Sequence, residues 1–270
     1  MPPLSAPHTL VTSSTIIIMA RQAGIIKLKG KVGDMSFYKT KDGYLAREKG
    51  GVDKERIQND PAFQRTRENG AEFGRAGAAG RTLRTAFRPL LLRTSDGRVT
   101  SRLTKEMVKV IKADGTNARG ERNVLDGELE MLQGFEFNIS GRLGATVYAP
   151  FDVSIDRASG EAVVNVPGFV PQNTIAAPQG ATHMKLVSAG AEINFEEDAF
   201  NLVTAESGEI EIGPQTEAAV NLTNALPAGS ASPLFLVFGI EFYQEVNGNF
   251  YPLKNGAYNA LSLAAVDGGA

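Results

Sequence analysis

The C-terminal half of the chain alternates apolar and polar residues with a period of two, as strands with one buried face do. From about residue 134 onward, about seven such segments follow one another at roughly ten-residue spacing. Turn-forming Asn-Gly pairs at 247–248 and 255–256 separate the last of them. The segment 233–246, PLFLVFGIEFYQEV, is the longest and most apolar, which predicts a central strand. The pattern predicts an antiparallel, immunoglobulin-like β-sandwich.

Strand-like alternation also occurs near the N terminus, in residues 25–29 and on both sides of Asp42-Gly43. An Asp-Gly pair between β-prone segments predicts a β-hairpin, because both turn positions tolerate a positive φ. The same stretch is rich in glycine and lysine, as phosphate-binding loops are. A Walker loop requires the spacing GxxxxGK[ST] and a following helix, and neither is present here. The glycines are therefore interpreted as turn residues.

A helix is predicted to begin at Asp60-Pro61, where an N-cap residue precedes a proline in the first turn. Its loose helical face runs through Phe63, Gly70, Gly74, Ala78, Leu83 and Phe87. Four glycines, at positions 70, 74, 77 and 80, are unfavourable within a helix. Two interpretations stay open: the small residues let another backbone approach closely, or the helix breaks at the glycines.

A second helix is predicted over residues 98–114, where the apolar residues from Val99 to Ile111 share one face. Five cations at spacings of 4, 3, 4 and 3 form a line on the opposite face, the basic stripe: Arg98, Arg102, Lys105, Lys109 and Lys112. The stripe is a candidate surface for assembly or for binding a polyanion. The alternative is the ordinary solvated face of an amphipathic helix.

The formal net charge of −2 conceals a strong division along the chain. Residues 19–110 contain 21 Lys and Arg against 10 Asp and Glu, whereas residues 111–270 contain 7 against 20. The fold class is predicted to be α+β, in three parts. They are a disordered extension (residues 1–18), a basic region with a β-hairpin and two helices (residues 19–133), and an acidic β-sandwich domain (residues 134–270).

The residues that usually perform catalysis are scarce. There is no Cys, and the two histidines, His8 and His183, are far apart in sequence. Carboxylates cluster at 196–198 and at 206–211, and adjacent acids of this kind are typical of solvated surface. Asp152 and Asp156 lack the spacing of an EF-hand calcium loop. The motifs GxSxG, HExxH, GxGxxG and the Walker loop are absent, so we predict no enzymatic activity, no cofactor, no metal and no small-molecule substrate.

Residues 1–18 lack the basic start and the unbroken apolar core of a secretory signal, and they are too short to span a bilayer. No other stretch reaches transmembrane length, so a soluble, cytoplasmic protein is expected, with extracellular assembly left open. Met19 begins a more plausible protein than Met1 does.

Several stretches resemble those of a family of bacterial proteins to which no activity is assigned: MARQAGIIKLKG, FYKTKDGYLAREKGG, DPAFQRTREN and GIEFYQEVNG with YPLKNGAYNALSL. The resemblance covers essentially residues 19–267 and agrees with Met19 as the natural start. It implies no ligand and no catalytic residue.

Two functions remain. In the first, the protein is a structural subunit that assembles head to tail, with the basic region of one copy on the acidic sandwich of the next, into a filament or tube. In the second, the basic region binds nucleic acid, with Tyr38 or Tyr44 stacking on bases. A third arrangement would weaken the argument for both functions: the basic and acidic halves can pack on each other within one chain.

Overall fold

A computed structural model describes residues 19–40, 43–48, 52–94 and 96–269. The predicted extension 1–18, Asp42 of the predicted Asp-Gly turn, and Gly50 and Gly51 lie outside the described residues. The chain divides into two compact units, unit 1 (residues 1–64) and unit 2 (residues 65–270). This division precedes the predicted helices, whereas the sequence-based boundary between residues 133 and 134 follows them.

Unit 1 is built around a four-stranded antiparallel sheet. Its strands are β1 (Met19–Arg21), β2 (Gly30–Val32), β3 (Met35–Thr40) and β4 (Gly43–Glu48), in the order β1-β4-β3-β2. The predicted hairpin is confirmed as the β3–β4 pair. The strand predicted at residues 25–29 is wrong, since residues 22–29 form a loop between β1 and β2. A short helix, α1 (Lys54–Asn59), and a 3-10 turn (Pro61–Phe63) follow.

Three helices open unit 2: α2 (Gln64–Ala86), α3 (Arg88–Thr94) and α4 (Val99–Ala113). Asp60 caps the turn that precedes α2, with its Oδ1 accepting the Ala62 amide at 2.9 Å, as the Asp-Pro pair predicts. The apolar face predicted for α4 is confirmed: Val99, Leu103, Met107, Val110 and Ile111 are all buried.

The glycines do not break α2, which is continuous for 23 residues. A close approach is found at Gly80, which is buried and where an added Cβ would lie 3.7 Å from Leu103 Cγ of α4. At Gly70, Gly74 and Gly77 no atom lies within 4 Å of an added Cβ. The predicted apolar face was partly wrong, because Ala78 is exposed and the buried face runs instead through Ala76, Ala79, Leu83 and Ala86.

The C-terminal part of unit 2 forms two antiparallel sheets, joined by short helices α5 (Leu143–Thr146) and α6 (Pro171–Thr174) and by 3-10 turns (Leu129–Leu132, Leu253–Gly256). The strands are β5 (Asp152–Asp156), β6 (Glu161–Val166), β7 (His183–Asn194), β8 (Ala199–Glu206), β9 (Ile210–Glu211), β10 (Val220–Ala225), β11 (Leu234–Val246), β12 (Asn249–Pro252) and β13 (Ala260–Asp267). The small sheet has the order β10-β6-β5. The large sheet has the order β12-β11-β7-β8, with β13 on β11 and β9 on β7.

Strand β11 is apolar on both faces because both faces are covered. Phe238 and Ile240 pack with the small sheet, whereas Phe235 and Val237 pack with α2 and α4. Fully burying a side chain of this size stabilises a fold by about 1.5–3 kcal/mol. The predicted α+β fold with a C-terminal antiparallel sandwich is confirmed, and helices cover the outer face of its large sheet. Asn247 (φ 53°) and Gly248 (φ 76°) form the predicted turn between β11 and β12.

Candidate functional site

The basic stripe lies on α4 and at its start, but its five cations do not act alike. Arg98, Lys105 and Lys112 are exposed, and no described residue pairs with their side chains. They are seven residues apart, which is nearly two helical turns, so they form a straight line with a spacing of about 10 Å. We refer to these three residues as the cationic line.

Arg102 is held within the subunit. Its guanidinium donates to Asp96 Oδ2 at 2.6 Å and to the carbonyl oxygens of Glu136 at 2.6 Å and Phe137 at 3.1 Å. It also lies over the Phe135 ring, 5.1 Å from the centroid. Arg102 therefore ties α4 to the segment that leads into the sandwich, and it contributes little to an outward-facing surface.

Asp96 is the acidic partner of this anchor. Burial raises its pKa, but hydrogen bonds from the Ile139 and Arg98 amides and from Arg102 outweigh burial, and the pKa lies below its usual value. Lys109 is also paired, with Glu106 Oε2 at 2.6 Å. Three of the five predicted stripe residues thus remain available for an outside partner.

Part of the charge division is neutralised within unit 2. Arg81 of α2 pairs with Asp198 at 3.1 Å, and Arg93 of α3 pairs with Glu241 at 3.4 Å. Asp198, from the acidic cluster 196–198, also accepts the Thr82 hydroxyl, so it fastens the β7–β8 turn to α2. This agrees in part with the arrangement in which the basic and acidic halves pack within one chain.

An apolar groove lies between α2 and α4, beside the cationic line. It has a volume of about 700 Å³ and is lined by Phe73, Gly97, Thr100, Ser101, Thr104, Lys105 and Val108. Phe73 is 62% exposed. The sequence pattern did not single out Phe73, because it falls between the glycines of α2 and outside the predicted apolar face.

The loop between β1 and β2 presents two isoleucines to solvent. Ile25 is 102% exposed and Ile26 is 82% exposed. The Gln22 side chain holds the ends of this loop together: its Nε2 donates to the Leu28 and Leu45 carbonyls, and its Oε1 accepts the Leu28 amide at 2.8 Å. We call residues 22–28 the isoleucine loop.

The sheet of unit 1 has little interior of its own. Ala46 is the only buried residue among the described residues of this unit. The two edge strands, β1 and β2, are only three residues long, which limits the edge that another chain could extend. The apolar loop therefore offers more to a partner than the sheet edges do.

The two tyrosines considered for base stacking already carry cations on their rings. Lys39 Nζ lies 5.6 Å from the Tyr44 ring centroid, and the Arg47 guanidinium lies 5.5 Å from that of Tyr38. A base would have to displace these side chains in order to stack. Both tyrosine rings thus already have a cation as their neighbour.

Comparison with protein-family models, with curated proteins and with solved structures finds no match. Within the described ranges, no helix is long and apolar enough to cross a membrane. In the same part of the chain, no three His, Cys, Asp or Glu side chains converge as the ligands of a metal ion would.

Proposed function

We propose that the protein is a structural subunit that assembles with copies of itself, and that the isoleucine loop is the main contact element. The observation that carries this proposal is the exposure of Ile25 and Ile26 on a loop that Gln22 holds in an ordered conformation. An isolated exposed apolar side chain is common, but two adjacent ones on a hydrogen-bonded loop form a ready-made contact.

The energetics support a contact of this size within a repeating assembly. Burying one isoleucine contributes about 1.5–3 kcal/mol, and its loop loses little conformational entropy because it is already ordered. A single contact of this strength is weak. A subunit that makes it with two neighbours at once gains the advantage of many linked contacts.

Charge favours the acidic sandwich of a second copy as the partner of this loop. Lys27, Lys29 and Lys31 lie in and after the loop, and residues 111–270 carry an excess of 13 negative charges. The cationic line on α4 adds a second positive surface. Because the two contacting patches differ, the contact is heterologous, and repetition without closure produces a filament or tube.

The first test replaces the two isoleucines together, Ile25→Asp and Ile26→Asp. We expect wild-type protein to sediment as large assemblies visible by electron microscopy, and the double variant to remain small with an unchanged circular dichroism spectrum. Ile139→Asp is the matched control, because Ile139 is an exposed isoleucine of unit 2 that is 49% accessible. Wild-type protein that stays monomeric at every concentration contradicts the proposal.

The second arm tests the charges. Reversing the cationic line (Arg98→Glu, Lys105→Glu and Lys112→Glu) should weaken assembly, as should salt that screens exposed charges. Arg102 and Lys109 are left unchanged because both are already paired within the subunit. A monomeric wild type that copurifies with nucleic acid, shown by its absorbance ratio at 260 and 280 nm, would favour the nucleic-acid function instead.

A further inference from the structure

The outer face of the large sheet ends in a polar cleft. Along β11, the residues that face the helices are apolar as far as Val237, whereas Glu241 and Tyr243 follow on the same face. Their neighbours on β7 are Lys185 opposite Glu241 and His183 opposite Tyr243. The alternation of the two strands therefore places charged side chains where the cover of α2 and α4 ends.

The cleft has a volume of about 440 Å³, which lies within the range of small-molecule sites in proteins. Its floor is formed by the strands, and one wall is formed by the end of α3 and the turn before β13. The side chains that matter for recognition are Arg93, Lys185, Glu206, Glu241, Tyr243 and Phe250. All of them belong to unit 2.

Glu241 is the most unusual member of this set, because this acidic residue is only 2% exposed. Its Oε2 accepts the Tyr243 hydroxyl at 2.5 Å and Arg93 Nη1 at 3.4 Å. Its Oε1 has no hydrogen bond within the described part of the chain. Glu241 lines the cleft, so this oxygen is free to accept a hydrogen bond from a ligand.

The cleft also supplies hydrogen-bond donors. Lys185 Nζ lies between Glu206 Oε1 at 3.2 Å and Glu209 Oε1 at 3.1 Å. Burial lowers the pKa of Lys185, but these two bonds outweigh burial and raise it above its usual value, so the amine stays protonated. Arg93 makes one long contact with Glu241, and its side chain is 60% exposed, which leaves guanidinium N–H groups directed to solvent.

Burial and the bond to Glu241 raise the pKa of Tyr243, so its hydroxyl remains a donor to that carboxylate. Phe250 of β12 closes the cleft on one side. It contacts the His183 ring edge-on, at 4.8 Å between centroids, and part of its ring stays accessible. The cleft thus combines an aromatic surface with hydrogen-bond donors and hydrogen-bond acceptors.

The formal charges of the side chains that line the cleft balance, with Arg93 and Lys185 against Glu206 and Glu241, while Glu209 lies outside the lining and pairs with Lys185. A charged ligand would leave one ion uncompensated in a partly buried site, which is unfavourable. A neutral ligand with several hydroxyls can donate to Glu241 and Glu206, accept from Arg93 and Lys185, and place a C–H face on Phe250. We propose that this cleft binds a saccharide ring.

The test is saturation-transfer NMR on the full chain with D-glucose, D-galactose, N-acetyl-D-glucosamine and cellobiose as probes. We expect transfer to at least one saccharide. Glu241→Gln should weaken the affinity for that saccharide by about tenfold, because its hydrogen bond to a charged acceptor is lost. Glu211→Gln, which alters an exposed carboxylate of β9 outside the cleft, should leave it unchanged.

Phe250→Ala provides a second variant if Glu241→Gln fails to fold, since Phe250 lies on the short strand β12 and is 40% exposed. It should also weaken saturation transfer to the saccharide. The proposal is overturned if none of the four saccharides shows saturation transfer, or if transfer persists undiminished in both variants. It is also overturned if ethanolammonium, a cationic probe, shows transfer and the saccharides do not. Loss of assembly leaves this experiment unaffected, because one copy of the chain supplies every residue that lines the cleft.

Discussion

The two units of the chain keep their apolar residues in opposite places. In unit 2, apolar residues fill two clusters, one on each face of the large sheet. In unit 1, the described residues bury only Ala46 and present Ile25 and Ile26 to solvent. A sheet of four short strands without an interior is marginal by itself in water. The comparison indicates that unit 2 carries the apolar core, whereas unit 1 keeps apolar side chains at its surface.

The largest expected effect compares one phenylalanine from each unit. Phe238→Ala removes a fully buried side chain from unit 2 and should cost about 3–5 kcal/mol in the free energy of unfolding. Phe37→Ala changes a half-buried residue of β3 and should shift the main unfolding transition by about 0.5 kcal/mol or less. Urea denaturation followed by circular dichroism measures both. Equal shifts would mean that the two units unfold together.

A pair of glycines with positive φ gives the next largest effect. A Cβ at Gly256 (φ 77°) would overlap the Arg93 carbonyl, so Gly256→Ala should cost about 3 kcal/mol from backbone strain and crowding together. Gly33 of unit 1 (φ 57°) has no atom within 4 Å of an added Cβ, so Gly33→Ala should cost only about 1 kcal/mol. A smaller cost at Gly256 than at Gly33 would contradict the view that unit 2 is the tightly packed unit.

The smallest expected effect depends on pH. Asp114 follows α4 and is buried, which raises its pKa. Hydrogen bonds from Asn117, Asn123 and Thr116 outweigh burial and lower the pKa from 3.8 to about 2. A lowered pKa contributes stability that is complete above pH 3.8 and is lost as the pH falls towards 2. The free energy of unfolding of unit 2 should therefore decrease over this range.

Asp114→Asn is the matched variant for this measurement. It should be less stable than wild type near neutral pH, and the difference should shrink between pH 4 and 2 as the wild-type carboxyl takes up its proton. Denaturation midpoints measured across this pH range test the prediction. Parallel curves for the two proteins would show that other carboxyl groups cause the acid sensitivity.

The sandwich and α4 were predictable because their patterns are regular over long stretches. Residues 233–246 carry apolar side chains at nearly every position, and a strand covered on both faces requires this. The apolar residues from Val99 to Ile111 likewise have the helical period, and all of them are buried.

The isoleucine loop was mistaken for a strand because IIKLK alternates as strands do. What decides its conformation is a single side chain, Gln22, which bonds to the backbone on both sides of the loop. Gly24 within the loop and Gly30 shortly after it are the local signal of a turn. The position of Arg102 on the basic stripe shows the same limit of local pattern. Its spacing fits the helical period, but the groups that bond to its side chain lie on other segments of the chain.

The polar cleft was not predictable from local pattern. Glu241 and Lys185 are 56 positions apart in the chain and become neighbours only through the register between β7 and β11. Arg93 joins them because α3 ends beside that pair. Such a site depends on three separate elements, and a single sequence does not specify their relative positions.

The strand pairing along one edge of β11 is interrupted. On one edge β13 pairs with residues 234–240, and β12 pairs with residues 243–246, so Glu241 and Phe242 have no strand partner there. The Asn259 side chain fills the gap: its Oδ1 accepts the Phe242 amide at 3.0 Å, and its Nδ2 donates to the Arg93 carbonyl. One asparagine thus ties β11 to the end of α3 at the place where this edge of β11 has no strand partner, and it forms part of the wall of the polar cleft.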